Sequence, residues 1–269
     1  MPYDLAARFR SPSQRARVIS EGWGDRNLYC PRCDSPRLEA SSANTQAVDF
    51  ICPKCAACFQ LKSQSRPLSR RIVDSAYAVM RRAIEQGQTP HLFALHYAPA
   101  SWRVRDLMLI PSFALTLSCL ERRKPLRPTA RRRGWVGCNI LLSGVPADAR
   151  IMVIANGEPA SPPLVRRQFA RLQPLEGLGY ETRGWALDVL GVVRSLQRRQ
   201  FSLSDVYSHS GELRRLHPAN LHVREKIRQQ LQRLRDMGFV EFLGAGNYVL
   251  KGSPAPPPSS FLAPGHGPV

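Results

Sequence analysis

Two Cys-x2-Cys pairs, Cys30-Pro31-Arg32-Cys33 and Cys52-Pro53-Lys54-Cys55, stand 18 residues apart. No other feature constrains the chain as much. Two short turns that each present two thiolates close a tetrahedron of soft ligands around one Zn²⁺, so the fold must bring residues 30 and 55 together. Four thiolates leave no open position, which makes such a zinc structural. Cys58 forms a second Cys-x2-Cys register with Cys55 and is an alternative to Cys52. The matching Cys-Pro-basic-Cys turns favour Cys30, Cys33, Cys52 and Cys55. The seven cysteines are an odd count. Met1 to Arg10 also carries no apolar run behind a basic start, so a disulfide framework is not expected. Cys119 and Cys138 read as core residues.

The second cysteine turn lies between two β-type runs, Ala47 to Ile51 and Phe59 to Lys62, and the three together read as a hairpin with a metal tip. Strand alternation sends Gln60 and Lys62 to one face and Phe59 and Leu61 to the other. Pairing brings Asp49 beside Gln60 and Lys62. An acid, an amide oxygen and a lysine on one edge suit metal-dependent phosphodiester hydrolysis, in which oxygen ligands hold a hard cation such as Mg²⁺. A solvated strand face accounts for the same three residues without any chemistry.

Elsewhere, Ser11-Pro12-Ser13-Gln14 reads as a capping box that opens a helix, with Gly22 and Gly24 stopping it. Asp74 to Gln86 has the spacing of an amphipathic helix. His91 to Tyr97, Asp106 to Ile110 and Ile151 to Ala155 read as buried strands. Strands mixed with helices give an α/β layered fold over the first two thirds. From about residue 177 the character changes. Helices are expected at Trp185 to Leu196, Leu203 to Tyr207 and Leu221 to Met237, followed by a hairpin of Val240 to Leu243 and Tyr248 to Lys251. Three helices and a hairpin are the order of a winged helix. Gly252 to Val269 is rich in proline, lacks periodicity and is expected to be a disordered tail. No apolar stretch approaches the ~20 residues of a membrane span, so a cytoplasmic protein is expected.

The net charge of +19 calls for a polyanionic partner, and nucleic-acid phosphate is the usual one. Glu121 to Arg133 holds seven basic residues and one acid. Pro125 and Pro128 keep it extended, as suits phosphate contact through Lys124, Arg127, Arg131 and Arg132. Trp135, next to this loop, is placed either to pack against a base or an N6-methyl group or to fill a core. On the Leu221 to Met237 helix, Arg224, Lys226, Arg228 and Gln229 lie off the apolar stripe, where a winged helix meets the major groove. The turn Gly244-Ala245-Gly246-Asn247 is short and uncharged, so little contact is expected from it. His91 and His96 read as structural.

Several strings in order now carry a resemblance. They are Ser13-Gln14-Arg15-Ala16-Arg17, Tyr29-Cys30-Pro31-Arg32-Cys33, Val48-Asp49-Phe50 through Leu61-Lys62-Ser63, and Arg123-Lys124-Pro125-Leu126-Arg127-Pro128-Thr129-Ala130-Arg131-Arg132. Further on come Gly134-Trp135-Val136-Gly137-Cys138-Asn139-Ile140, Arg183-Gly184-Trp185 and Arg224-Glu225-Lys226-Ile227-Arg228-Gln229-Gln230-Leu231-Gln232. Together they resemble the Dam-replacing family of methyl-directed type II restriction endonucleases.

The resemblance implies an α/β (α+β) PD-(D/E)XK nuclease domain with an inserted four-cysteine zinc site over residues 1–180. It implies a winged-helix domain over 181–251, with the Pro-rich tail at 252–269. It implies Mg²⁺-dependent cleavage of double-stranded DNA at G-A-T-C sites carrying N6-methyladenine. A monomer is expected, although the sequence does not fix the oligomeric state. Asp49 and Lys62 correspond to the motif aspartate and lysine, and Asp49, Gln60 and the Leu61 carbonyl to the Mg²⁺ ligands. Gln60 stands where the family pattern has glutamate. An amide oxygen is a poorer Mg²⁺ ligand than a carboxylate, so weak metal affinity or a preference for Mn²⁺ is expected. That departure also sustains an alternative, a non-enzymatic sensor of methylated DNA. A zinc-ribbon RNA-binding protein is a third reading.

Overall fold

The computed structural model describes residues 1–42 and 47–252; the Pro-rich tail lies outside the described residues from position 253 on. Helix α1 (Pro12–Asn27) leads into short strands β1 (Glu39–Ala40) and β2 (Phe50–Ile51), then β3 (Cys58–Gln64), β4 (Arg71–Ala76), helix α2 (Tyr77–Glu85), β5 (His91–Ala98) and β6 (Arg103–Ile110). After them come β7 (Leu120–Arg122), β8 (Gly137–Leu141), β9 (Ile151–Ala155), β10 (Glu158–Pro159) and helix α3 (Pro162–Leu172). The C-terminal part holds α4 (Tyr180–Ser195), β11 (Gln200–Ser202), α5 (Leu203–Tyr207), α6 (Ser210–Leu216), α7 (Val223–Asp236), β12 (Val240–Gly244) and β13 (Asn247–Leu250).

Strands β1, β2, β3, β5, β6, β9 and β10 form, in that order, a mixed sheet in which β3 and β5 are parallel and the other pairs antiparallel. A parallel pair needs a crossover, and β4 with α2 supplies it. Strand β4 leaves the main sheet and pairs with β8, which pairs with β7, in a second small sheet. Phe59 and Phe93 stack on adjacent strands with Phe113 and Phe169 nearby, a rigid aromatic floor under the start of β3. The mixed α/β sheet core, the clustered cysteines and the C-terminal helical unit agree with the architecture that the resemblance implies.

Several local expectations are corrected. Gly22 and Gly24 do not end α1, which runs on to Asn27. They serve close packing instead: a Cβ on Gly24 would come within 2.6 Å of the Phe50 ring, and one on Gly22 within 2.4 Å of Leu5. Ser11 is the N-cap residue but makes no capping bond, its hydroxyl meeting Ser13 instead. Residues 74–76 are strand, and the helix begins only at Tyr77, because ladder bonds to β8 override helical spacing. Only Phe50 and Ile51 of the first hairpin run are strand, after a turn at Ala47 with φ of 61°. Helices α3 and α6 and strand β11 were not expected. The C-terminal unit has four helices, and its hairpin is completed by β11 against β13. The two-residue turn Ala245-Gly246 takes positive φ at both positions, as a tight hairpin requires.

Candidate functional site

The four sulfurs of Cys30, Cys33, Cys52 and Cys55 all lie within 4.8 Å of one another. Cys30 and Cys55 approach to 3.6 Å and Cys33 and Cys52 to 3.5 Å. A zinc tetrahedron with ~2.3 Å bonds has sulfur–sulfur edges of about 3.8 Å, so the donor set fits a structural metal. Cys58 stands outside, its thiol directed at the Ala56 carbonyl. Burial opposes the Cys52 thiolate, yet the N–H groups of Cys55 and Lys54 and the neighbouring thiols bring its pKa down to about 6. Burial pushes Cys30 the other way.

The cysteine lobe is tied to the rest by Arg166 of α3. Its guanidinium donates to the Cys30 carbonyl at 3.1 Å and the Ser35 carbonyl at 3.0 Å and lies over the Tyr29 ring. Arg32 reaches Glu176 at 2.6 Å, and Lys54 closes on Asp34 at 2.6 Å. Phe50, packed on Gly24, places the start of β2 against α1.

That anchoring positions the hairpin that carries Asp49, Gln60 and Lys62. Asp49 lies just before β2; its N–H donates to the Phe59 carbonyl at 2.9 Å, and its carboxylate accepts the Leu61 N–H at 2.8 Å. Phe50 pairs with Phe59, so one further step of the antiparallel register sets Asp49 opposite Gln60. Phe59 and Leu61 are buried, while Gln60 and Lys62 are half-exposed. All of Asp49, Gln60, Leu61 and Lys62 line one cleft of about 970 Å³ between α1 and β3. The structure thus brings these four together.

The cleft contains residues that the sequence did not single out for chemistry. From α1 come Arg17 and Glu21, ion-paired at 2.6 Å one helical turn apart. Arg17 is held firmly protonated, first by the bond to Glu21 and also by the charge of nearby Asp49. Behind the cleft, Lys62 Nζ meets Asp74 Oδ1 at 2.7 Å. The i,i+4 spacing of Arg17 and Glu21 was a readable signal. Asp74 gave none, because it sits on a strand that resembles a helix start.

The DNA-facing candidates divide into groups. Lys124, Arg127, Arg131 and Arg132 are exposed on the loop between β7 and β8. Trp135 is half-buried, its ring so close over Gly137 that a Cβ there would meet it at 2.7 Å, and the Arg132 guanidinium lies 4.9 Å from its centre. On α7, Arg224 and Arg228 are exposed and share a face. Both stand over the ring of Tyr207 from α5, at 5.2 and 5.7 Å, and Arg228 also donates to its hydroxyl. Gln229 is exposed and accepts from Gln230, and half-buried Lys226 lies on the other flank. Helix geometry therefore does not gather all four. Tyr207 was missed because it read only as the end of a short helix.

The two parts are joined by buried polar links. Arg194 of α4 grips Asp148 with two bonds, at 2.6 and 2.5 Å. Asp188 of the same helix accepts from Ser118 at 2.7 Å and meets His217 at 2.7 Å. The His217 ring stacks on Trp185 at 4.0 Å.

A cysteine-braced mixed sheet with an acid and a lysine in one cleft, joined to a basic helical unit, defines a class of DNA-binding proteins built from a nuclease-like part and a helix-turn-helix part. The family model described as Dam-replacing family matches residues 1–177, and that described as Dam-replacing HTH domain matches residues 181–249. The chain belongs to the Dam-replacing family. Among the described residues, no helix is long and apolar enough to cross a membrane.

Proposed function

We propose that this protein is a methylation-dependent type II restriction endonuclease that hydrolyses double-stranded DNA at G-A-T-C sites carrying N6-methyladenine. The observation that carries this reading is the convergence of Asp49, Gln60 and Lys62 in one cleft of a chain whose other part is a helix-turn-helix unit. Residues 1–180 cut and residues 181–251 hold the duplex, with one chain acting as a monomer.

Asp49, Gln60 and the Leu61 backbone would hold Mg²⁺. When bound, Mg²⁺ supplies positive charge at the scissile phosphate and acidity to its water. The Leu61 N–H fixes the rotamer of Asp49, so the acid is preorganised for a ligand. Lys62 orients the attacking water and offsets charge that develops on the phosphate. Cys30, Cys33, Cys52 and Cys55 would hold Zn²⁺, which braces the hairpin and takes no part in the chemistry. Lys124, Arg127, Arg131 and Arg132 contact phosphates, and Trp135 reads the methyl group once Arg132 leaves its ring. Arg224, Lys226, Arg228 and Gln229 act from α7, with Arg and Gln on base edges and Lys on phosphate.

The neutral amide of Gln60 favours a second reading, a non-enzymatic sensor of methylated DNA. Incubation with methylated and unmethylated plasmid plus Mg²⁺ separates the two. Cutting of the methylated plasmid alone is expected. Retention of methylated DNA without cutting identifies the sensor, and preference for RNA in competition overturns both.

A further inference from the structure

Strand β4 places a carboxylate where its pattern asks for an apolar residue. Ile72 and Asp74 face inward while Arg71 and Val73 face out, and the Asp74 side chain is only 2 % exposed. Asp74 follows Ile72 on the inward face by the plain alternation of the strand, and the pairing of β4 with β8 slips only after Val73. Its Oδ1 lies 2.7 Å from Lys62 Nζ at an angle that makes no hydrogen bond, and no other donor reaches it. Lys62 is the one cation at ion-pair distance from Asp74 among the described residues.

We propose that Asp74 is a positioning residue for DNA cleavage, holding Lys62 Nζ at the wall of the cleft. The proposal rests on the nuclease reading and adds a residue to it. Lysine ends in a compact charge on a flexible four-carbon stem, with no preorganised geometry of its own. A reacting group held loosely loses rate steeply with small displacements. A buried carboxylate is costly unless compensated, so Asp74 keeps Lys62 beside it and fixes that stem. Because Lys62 comes from the main sheet and Asp74 from the small one, the packing of the two sheets sets where Nζ stands. Lys62 remains 27 % exposed and so spans from the buried carboxylate to the cleft.

Single-turnover cleavage of a methylated duplex by the full-length protein tests this. Asp74→Asn keeps the shape and removes the charge; the rate constant is expected to fall about 10- to 100-fold, with duplex affinity within about threefold of wild type. On a Lys62→Met background the same substitution is expected to add nothing, since Asp74 acts through Lys62. A wild-type rate in Asp74→Asn, or losses that multiply in the double variant, overturns the proposal. If Asp74→Asn does not fold, Asp74→Glu retains the charge one methylene further out. A loss of rate at unchanged affinity supports positioning, and a full rate overturns it. A wild-type protein that leaves methylated duplex uncut defeats the nuclease reading itself, and the proposal with it, before any variant is compared.

Discussion

The carboxylate of Asp49 accepts the backbone N–H of Leu61 at 2.8 Å, which ties the acid to the strand that carries Gln60 and Lys62. Asp49→Asn can keep that bond through its amide oxygen while losing the charge. Cleavage of methylated DNA is expected to fall about a hundredfold or more, and Asp49→Ala to abolish it, with gel-shift affinity for methylated duplex retained by both. Cutting by either variant at the wild-type rate would show that the cleft is not the active site.

Gln60 lies across the register from Asp49, so its replacement changes the charge of the proposed metal site directly. Gln60→Glu is expected to lower the Mg²⁺ concentration for half-maximal cleavage by about tenfold and to reduce any advantage of Mn²⁺. A wild-type protein that already saturates at low Mg²⁺ contradicts this.

The four-sulfur cluster excludes Cys58. Elemental analysis is expected to find one Zn²⁺ per chain, lost in Cys52→Ser and kept in Cys58→Ser. Metal-ligand loss is expected to lower the melting temperature sharply, because binding energy at such a site is folding energy. Arg166→Ala, which removes the donor to the Cys30 carbonyl and leaves the Ser35 carbonyl to the Cys30 N–H, is expected to cost ~1–3 kcal/mol in denaturant unfolding with metal retained.

Tyr207 lies beneath two of the arginines proposed to contact DNA. Tyr207→Ala is expected to weaken methylated-duplex binding by about tenfold and to narrow the preference over unmethylated duplex, while Tyr207→Phe keeps most of both. Equal binding by all three proteins in a fluorescence titration would remove Tyr207 from the interface.

His91 accepts the Ser112 N–H at Nδ1 and is buried, which pushes its pKa down to about 4, with Arg32 contributing. The unfolded chain takes up this proton near pH 6.5, the folded chain only near 4. Stability from His91 is therefore full above pH 6.5 and declines on acidification to about 4, by roughly 3 kcal/mol. Urea unfolding at several pH values checks the slope, and His91→Gln should flatten it.

Much of the site was legible because it is local. The Cys-x2-Cys spacing, the alternation of Phe59 to Lys62 and the proximity of Asp49 in sequence are short-range patterns that pleat and turn geometry translate directly into neighbours. The helix of α7 was equally plain, since Val223, Ile227, Leu231 and Leu234 repeat on one stripe and are buried as that repeat demands. Where long-range pairing competes with local preference, the pairing decides the structure. Residues 74–76 joined β8 instead of α2, and Gly24 was kept for the Phe50 ring instead of ending α1.

The sequence by itself determined the cysteine lobe, the strand that carries Gln60 and Lys62 close to Asp49, and the basic helix, because each is encoded within a few turns or one strand pair. Only the tertiary structure decided that Asp74 stands behind Lys62, that Tyr207 carries Arg224 and Arg228, and that Arg166 grips the cysteine turn. Those contacts join residues from separate elements. Their partners are chosen by the packing of sheets and helices around a shared core, and no periodicity along the chain records it.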